Sequence, residues 1–524
     1  MDTGEKGVSQ SQEDKKSPAR PAAGSFLDII ERVGNRVPNP VVIFLILIAI
    51  IIVLSHVFHL MGSSVAFQVV NAQTHEIEEA TASVNSLLSV DGLRFMLTSV
   101  VPNFLGFTAL GVVIVAMVGV GLAEEAGLIG ALIRKLVIVS PPGALTYILV
   151  FIGVLSSVAA DAGYLVLIPL AAVAFQSVGR HPLAGLAAAF AAVGGAFGVN
   201  FMIKPVDGVL TEITNDAIHL LNPALSIDLT ANFFFSVASV VVLTLTIALV
   251  SDKLVEPRLG AWQGDESAAE GDGDLSAEER RGLKFSLWGF LAVLAVFALL
   301  ALPSGAPLRH PDSGALIGNS PLMNSLIVVI TVLFLGAGLA YGVGAGTFRN
   351  ASDAINAVVK TIGTLSSLIF LLLIISQFVA YFNYTNMATV AAVNMGYFLG
   401  QTQLGTIPLL VGFVLVVFVV GILMPQIIPK WALFAPVFVP LFMQLGIAPE
   451  AVLAAYRVGD SPSNVINPLM PYFALIVTFV QRYQKEAGVG TVIALMLPYA
   501  VALTIVWTLL LIVWLMLGIP FGPG

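Results

Sequence analysis

An arginine inside an apolar segment costs about 2.5–3.5 kcal/mol on insertion scales, so it normally faces a cavity or a partner. Arg457 lies in such a segment, within Tyr456-Arg457-Val458-Gly459-Asp460-Ser461. A guanidinium there can capture a substrate carboxylate with its planar fork. Asp460, three residues on and on the same helical face, offers the alternative of a purely structural pair. Asn464 and Asn467 follow Asp460, and Asn200 stands at a comparable place in the first half. Neutral amide oxygens beside one carboxylate suit a hard cation such as sodium.

Asp161 sits at the centre of Ser156-Ser157-Val158-Ala159-Ala160-Asp161-Ala162-Gly163, a break in an apolar run. It can cap a half-helix or contact an ion or substrate directly. Asp207, near Lys204, is either half of a surface pair at the outer interface or a coupling or substrate-contact carboxylate. Trp431 lies in the middle of a second broken run, where its indole can stack on an aromatic ring. An interfacial-belt position is the alternative for it. Among the six histidines, His56 and His59 alone share a helical face, and no third ligand is near them in sequence. No transition-metal site is expected there. The absence of cysteine removes disulfides, thiolate metal sites and cysteine nucleophiles together.

The elements that position these residues are membrane segments. Of 524 residues, 58% are apolar and 10% charged, and the mean hydropathy is +0.96. A soluble chain carries roughly 25% charged residues, so much of this surface must face lipid. The net charge of −8 is concentrated in hydrophilic segments and signals no nucleic-acid partner. Residues 1–40 read as a disordered cytoplasmic tail, with Lys15, Lys16, Arg20, Arg32 and Arg36 on the inner side.

A first half, residues 41–250, contains spans near Val41–Met61, Phe107–Ala126, Leu183–Ile203 and Asn232–Val250, with a hairpin over 141–178. An acidic cytoplasmic loop occupies 251–284. The second half, 285–517, contains spans near Phe285–Leu302, Leu322–Val343, Ile362–Phe382, 450–471 and Val492–Leu517, with a hairpin over 405–446 broken at Pro425–Trp431. Residues 518–524 form an external tail. The fold expected is an all-α polytopic membrane protein of about nine spans and two re-entrant hairpins, N-terminus inside.

The two halves repeat. Pro182 to Asn200 and Pro449 to Asn467 share a spacing of eighteen residues, and each is interrupted, by Gly194-Gly195 or by Ser461-Pro462-Ser463-Asn464. One hairpin enters from the inside and the other from the outside. Paired interrupted helices in an inverted repeat point to a binding site at the membrane midplane, where half-helix ends hold an anion and unwound carbonyls hold a cation.

At these residues the chain resembles the AbgT family, the p-aminobenzoyl-glutamate transporters, over about residues 25 to 517. The resemblance is carried by Lys430-Trp431-Ala432, by Tyr456 through Ser461, by Asn467-Pro468, and by Asn200 with Asp207 and Leu210-Thr211-Glu212-Ile213-Thr214. It implies a dimeric inner-membrane carrier, with a substrate cavity lined by Asp207, Trp431, Pro449, Arg457 and Asp460; Pro468 belongs to the same motif. It also implies uptake of p-aminobenzoyl-glutamate or export of sulfonamide antimetabolites.

The expectation is therefore a secondary transporter of anionic aromatic acids, coupled to sodium or protons. Its ion ligands are drawn from Asp161, Asn200, Asp460, Asn464 and Asn467, and no organic cofactor is expected. A sodium-coupled dicarboxylate carrier is the alternative within transporters, and a channel the alternative in another class. An enzyme would need a nucleophile and base or a metal in the core, and no such cluster stands out.

Overall fold

A computed structural model describes residues 40–70, 77–138, 140–158, 163–262, 275–316, 320–391, 393–394 and 405–523. The N-terminal tail, Asp161 and the most acidic part of the long loop, 263–274, lie outside the described residues.

The first half contains α1 (Pro40–Leu60), α2 (Val90–Thr98), α3 (Val100–Leu105), α4 (Thr108–Glu125), α5 (Leu128–Ile138), α6 (Leu145–Leu155), α7 (Ile168–Ser177), α8 (Pro182–Phe190), α9 (Pro205–Ile218) and α10 (Phe233–Val250). The second contains α11 (Ala277–Ala301), α12 (Leu326–Ala345), α13 (Ala351–Thr364), α14 (Ser366–Tyr384), α15 (Thr406–Leu423), α16 (Ile427–Gln444), α17 (Pro449–Asp460), α18 (Phe473–Gln481) and α19 (Val489–Met516). Helix starts follow local chemistry. Ser276 accepts from the Glu279 amide while Glu279 reaches back to the Ser276 amide, a capping box that opens α11.

Nine helices among the described residues are long and apolar enough to cross a bilayer. They are not the nine spans expected. The segments 183–203 and 450–471 are absent from the set, because each loses α-helical form midway. The two arms of the second hairpin, α15 and α16, take their places. The polar stretch after α1 also departs from an all-α chain. Ser64–Val70 and Ile77–Ser83 pair as an antiparallel β-ribbon, Ser64 opposite Ser83. Its first strand, Ser-Val-Ala-Phe-Gln-Val-Val, is rich in strand-favouring types. The span expected from Ile362 begins at Ser366, and the residues before it belong to α13, which Asn350 caps by accepting from the Asp353 amide.

Both hairpins are present. Gly163 lies against Ser156, and Gly153 against Leu167, so the arm ending at Val158 and the arm beginning at Gly163 pack on each other. In the second, the Phe413 ring meets Phe438 at 4.6 Å, the two lying on either side of a short break at Met424-Pro425-Gln426. That break is narrower than the sequence suggests, since Pro429, Lys430 and Trp431 already belong to the first turns of α16. Proline at the start of a helix removes no hydrogen bond that the helix would make.

Burial divides the molecule into a scaffold and a core. The membrane windows of α1 and α11 are 17% and 11% buried, as lipid-facing helices should be, whereas that of α16 is 67% buried. On the scaffold side α11 packs along α12, and α12 along α4. Small residues permit this: a Cβ on Gly119 would stand 2.1 Å from the Thr331 carbonyl oxygen. Every residue of α8 is buried, and so is α17 apart from Glu450.

Candidate functional site

The site is built where two interrupted segments cross. After α8 the chain makes a π-helical turn over Ala191–Gly195 and then loses helical form; after α17 it tightens into a 3-10 turn over Ser461–Ile466. Gly194 and Ser461 each follow their segment's proline, Pro182 or Pro449, by twelve residues; Gly198 and Val465 follow by sixteen. The contacts are exchanged between repeats. The Gly198 amide donates to Ser461 Oγ at 2.9 Å, and Val465 packs on Gly194. When position i of one unit meets j of the other and j meets i, the two are related by a two-fold operation.

Asn200 and Asn467 join each segment to its own hairpin. Asn200 Nδ2 donates to the Leu155 carbonyl at 2.9 Å and Ser157 Oγ at 3.0 Å, while its Oδ1 accepts from Met202 N. Asn467 Nδ2 donates to the Gly421 carbonyl at 2.8 Å, while its Oδ1 accepts from Leu469 N. Asn464 differs. Its Nδ2 donates to the Gly194 carbonyl at 3.2 Å, and its buried Oδ1 has no partner among the described residues.

Five charged side chains are buried among the described residues: Lys204, Asp207, Lys430, Arg457 and Asp460. Arg457 and Asp460 lie in α17, Lys430 in the first turn of α16, Lys204 in the short link to α9 and Asp207 in the first turn of α9. Arg457 Nη1 donates to Asp207 Oδ1 at 2.6 Å and to the Gly198 carbonyl at 2.8 Å. Lys430 Nζ lies 2.8 Å from Asp460 Oδ1, at ion-pair distance though off the angle of a hydrogen bond. This pairing corrects two expectations. Arg457 does not pair with Asp460, because α17 aims it at the first repeat while Lys430 approaches Asp460 from α16. Asp207 is not half of a surface pair: its Oδ2 accepts the Lys204 backbone amide at 2.9 Å, capping α9, and both residues are buried.

Among the described residues, three buried cations against two buried carboxylates leave one formal positive charge in excess. Buried ions persist only when paired or serving a ligand. Among the described residues Arg457 Nε has no partner, which leaves one edge of the fork unused there. Lys204 and Lys430 were not read from sequence as site residues, although a lysine within an apolar run is the same signal that marked Arg457.

Trp431 is fully buried. Its ring lies 4.5 Å from that of Tyr456, and Nε1 donates to Thr214 Oγ1 at 3.0 Å on α9. A belt position is excluded, and in this conformation the indole packs between helices. Pro449 begins α17 and is buried; Pro468 follows the 3-10 turn, half-buried. His56 and His59 hold the stretch after the ribbon, through Ser86 Oγ at 3.0 Å and the Val84 carbonyl at 2.9 Å.

Against Phe197 and Asn464 lies a cavity of about 700 Å³. Tyr164, Phe197, Gln426, Ile428, Asn464 and Tyr472 are among its walls. The rings of Tyr164 and Tyr472 stack at 4.3 Å with 11° between their planes. The first hairpin, both interrupted segments and the second break thus each contribute to this space; none of the five buried charged side chains is in its wall, and Lys204 meets it through the Phe197 carbonyl.

A family model described as the AbgT putative transporter family matches residues 25–524. The p-aminobenzoyl-glutamate transport protein of Escherichia coli strain K12 is 34% identical over 507 residues, covering 97% of this chain and 98% of the relative. The crystal structure of the YdaH transporter of Alcanivorax borkumensis, described as having an unusual topology, is 40% identical with a TM-score of 0.85, covering 93% of this chain and 100% of that one. The structure of Neisseria gonorrhoeae MtrF, described as illuminating a class of antimetabolite efflux pumps, is 39% identical with a TM-score of 0.88, covering 95% and 99%. Fold, paired interrupted segments and whole-length similarity agree, and this chain belongs to the AbgT family of membrane transporters.

Proposed function

We propose that this transporter carries small anionic aromatic acids of the p-aminobenzoyl-glutamate type, or exports sulfonamide-type antimetabolites, by alternating access driven by a sodium or proton gradient. The observation that carries the reading is the excess of cations over carboxylates among the described buried residues, with Arg457 Nε unpartnered among them, and a cavity with aromatic walls separated from that cluster by Phe197 and Asn464. The cation supplies a carboxylate partner, and the stacked tyrosines supply a surface for an aryl ring. A cavity near 700 Å³ is within the range of small-molecule sites. The relative in E. coli is named for transport of p-aminobenzoyl-glutamate, and MtrF is described with antimetabolite efflux.

Asp207, Trp431, Pro449, Arg457, Asp460 and Pro468 make up the proposed substrate site. Asp460 with Asn464 is the proposed cation site, with Asn200, Asn467 and Asp161 as supporting ligands. The carrier is proposed to work as a homodimer in the bacterial cytoplasmic membrane, N-terminus inside. The test is uptake of radiolabelled p-aminobenzoyl-glutamate into proteoliposomes, with sodium and pH gradients imposed separately. Saturable flux that one gradient accelerates supports the proposal. Non-saturable flux indifferent to both gradients indicates a channel and contradicts it.

A further inference from the structure

The two buried lysines stand at different places in the two halves and have different partners. Lys430 lies in the first turn of α16, ahead of the second interrupted segment, with Asp460 against its ammonium. Lys204 has none: among the described residues no carboxylate lies within ion-pair distance of its Nζ. Its Nζ donates instead to the Phe197 carbonyl and, at 3.4 Å, to Ser157 Oγ, and it faces the Phe197 ring at 4.9 Å from the centroid. Phe197 lies in the stretch that the interruption of the first segment leaves non-helical, and Ser157 lies at the break of the first hairpin. A carbonyl freed by helix interruption and a hydroxyl at a hairpin break are the neutral oxygens that a coupling cation takes.

We propose that the Lys204 ammonium is a tethered cation that fills the cation position of the first repeat. That position would otherwise accept a free monovalent ion or a small alkylammonium. The consequence is an asymmetric carrier. The first hairpin is fastened to its interrupted segment by a charge that never dissociates into solution, and an exchangeable cation is left to the second repeat alone. The chain supports this directly. Asp207 takes the Lys204 backbone amide and the Arg457 guanidinium rather than the Lys204 ammonium. Lys204 therefore reaches the first hairpin with no carboxylate of the described residues in direct contact with its ammonium, and with neutral oxygens around it as a metal ion would have. The assignment of coupling to the second repeat rests on the transporter reading; the occupancy of the first does not.

The test is thermal unfolding of the purified full chain and of Lys204→Ala in detergent, without substrate. Sodium, methylammonium and choline chlorides are compared at equal ionic strength, so that screening is common to all. Lys204→Ala is expected to melt several degrees lower. Sodium or methylammonium should restore at least half of that loss beyond any shift of the wild type, because a ligand that binds only the folded state stabilises it. Choline, too large for the gap, should restore none. An unchanged melting temperature, or a loss that neither small cation reduces, overturns the proposal. If Lys204→Ala does not fold, Lys204→Met and Lys204→Arg decide. The first keeps the stem without the charge and should be destabilised, while the second keeps the charge and should be much less so. Equal stability of the two also overturns it. No substrate enters these measurements, so failure of the uptake assay would leave this result standing, and the reverse holds as well.

Discussion

Asn200 and Asn467 perform the same hydrogen-bonding task in the two halves of the chain. Each stands eighteen residues past its segment's proline, each donates to a carbonyl near the end of its hairpin's first arm, and each accepts the amide two residues on. An interrupted helix leaves carbonyls unpaired at a depth where water is scarce, and a buried unsatisfied polar group costs about 1–3 kcal/mol. One side chain of fixed length answers that need twice, which is why the spacing is repeated.

Asn200→Ala and Asn467→Ala should therefore destabilise the protein by similar amounts, about 1–3 kcal/mol each. Asn464→Ala removes a single long hydrogen bond and should cost less. Thermal or denaturant unfolding in detergent checks the order. A cost for Asn464→Ala above both others would contradict the equivalence.

Arg457 and Asp207 should behave as a coupled pair. Removing one partner leaves the other buried and unpaired, at about 3–5 kcal/mol. The double change Arg457→Met with Asp207→Leu should be more stable than either single change yet fail to transport, because the substrate anchor is gone. Recovery of both stability and flux in the double variant would make Arg457 purely structural.

Lys430 and Asp460 bear on the coupling ion. In Lys430→Met the Asp460 carboxylate loses its neighbour, and sodium should raise the melting temperature more than in the wild type. The additional change Asp460→Asn should abolish that gain. Potassium at equal ionic strength should not reproduce it, and an equal shift in the two salts would remove sodium from the site.

Topology is tested with single cysteines in this cysteine-free chain. Ser352 and Ala224 are both exposed, before the first turn of α13 is complete and after α9 respectively. The positive-inside reading places Ser352 in the cytoplasm and Ala224 outside. An impermeant thiol reagent on intact cells should label Ala224→Cys and spare Ser352→Cys. The opposite pattern would reverse the orientation.

What could be read from sequence was local. Gly194-Gly195 and Ser461-Pro462 mark interruptions because those residues weaken helical hydrogen bonding wherever they stand, and the structure has a π turn and a 3-10 turn there. The partners of the charges were not legible. Arg457 meets Asp207 across 250 residues, while the same-face rule that suggested Asp460 knows nothing of α16, which brings Lys430 to it. Trp431, whose indole can stack on an aromatic ring, packs against Tyr456 and Thr214 on elements distant in sequence, neighbours that no local pattern encodes.

The central claim is that Arg457 holds the carboxylate of an anionic aromatic substrate. Calorimetric titration of p-aminobenzoyl-glutamate into the purified wild type and Arg457→Lys tests it, with the melting temperature of each recorded alongside. Lysine keeps the charge but loses the planar fork. The account predicts saturable binding to the wild type and affinity about tenfold or more weaker in Arg457→Lys, a difference of about 1.4 kcal/mol, in a variant that still melts cooperatively. Equal affinity in the two proteins would contradict it.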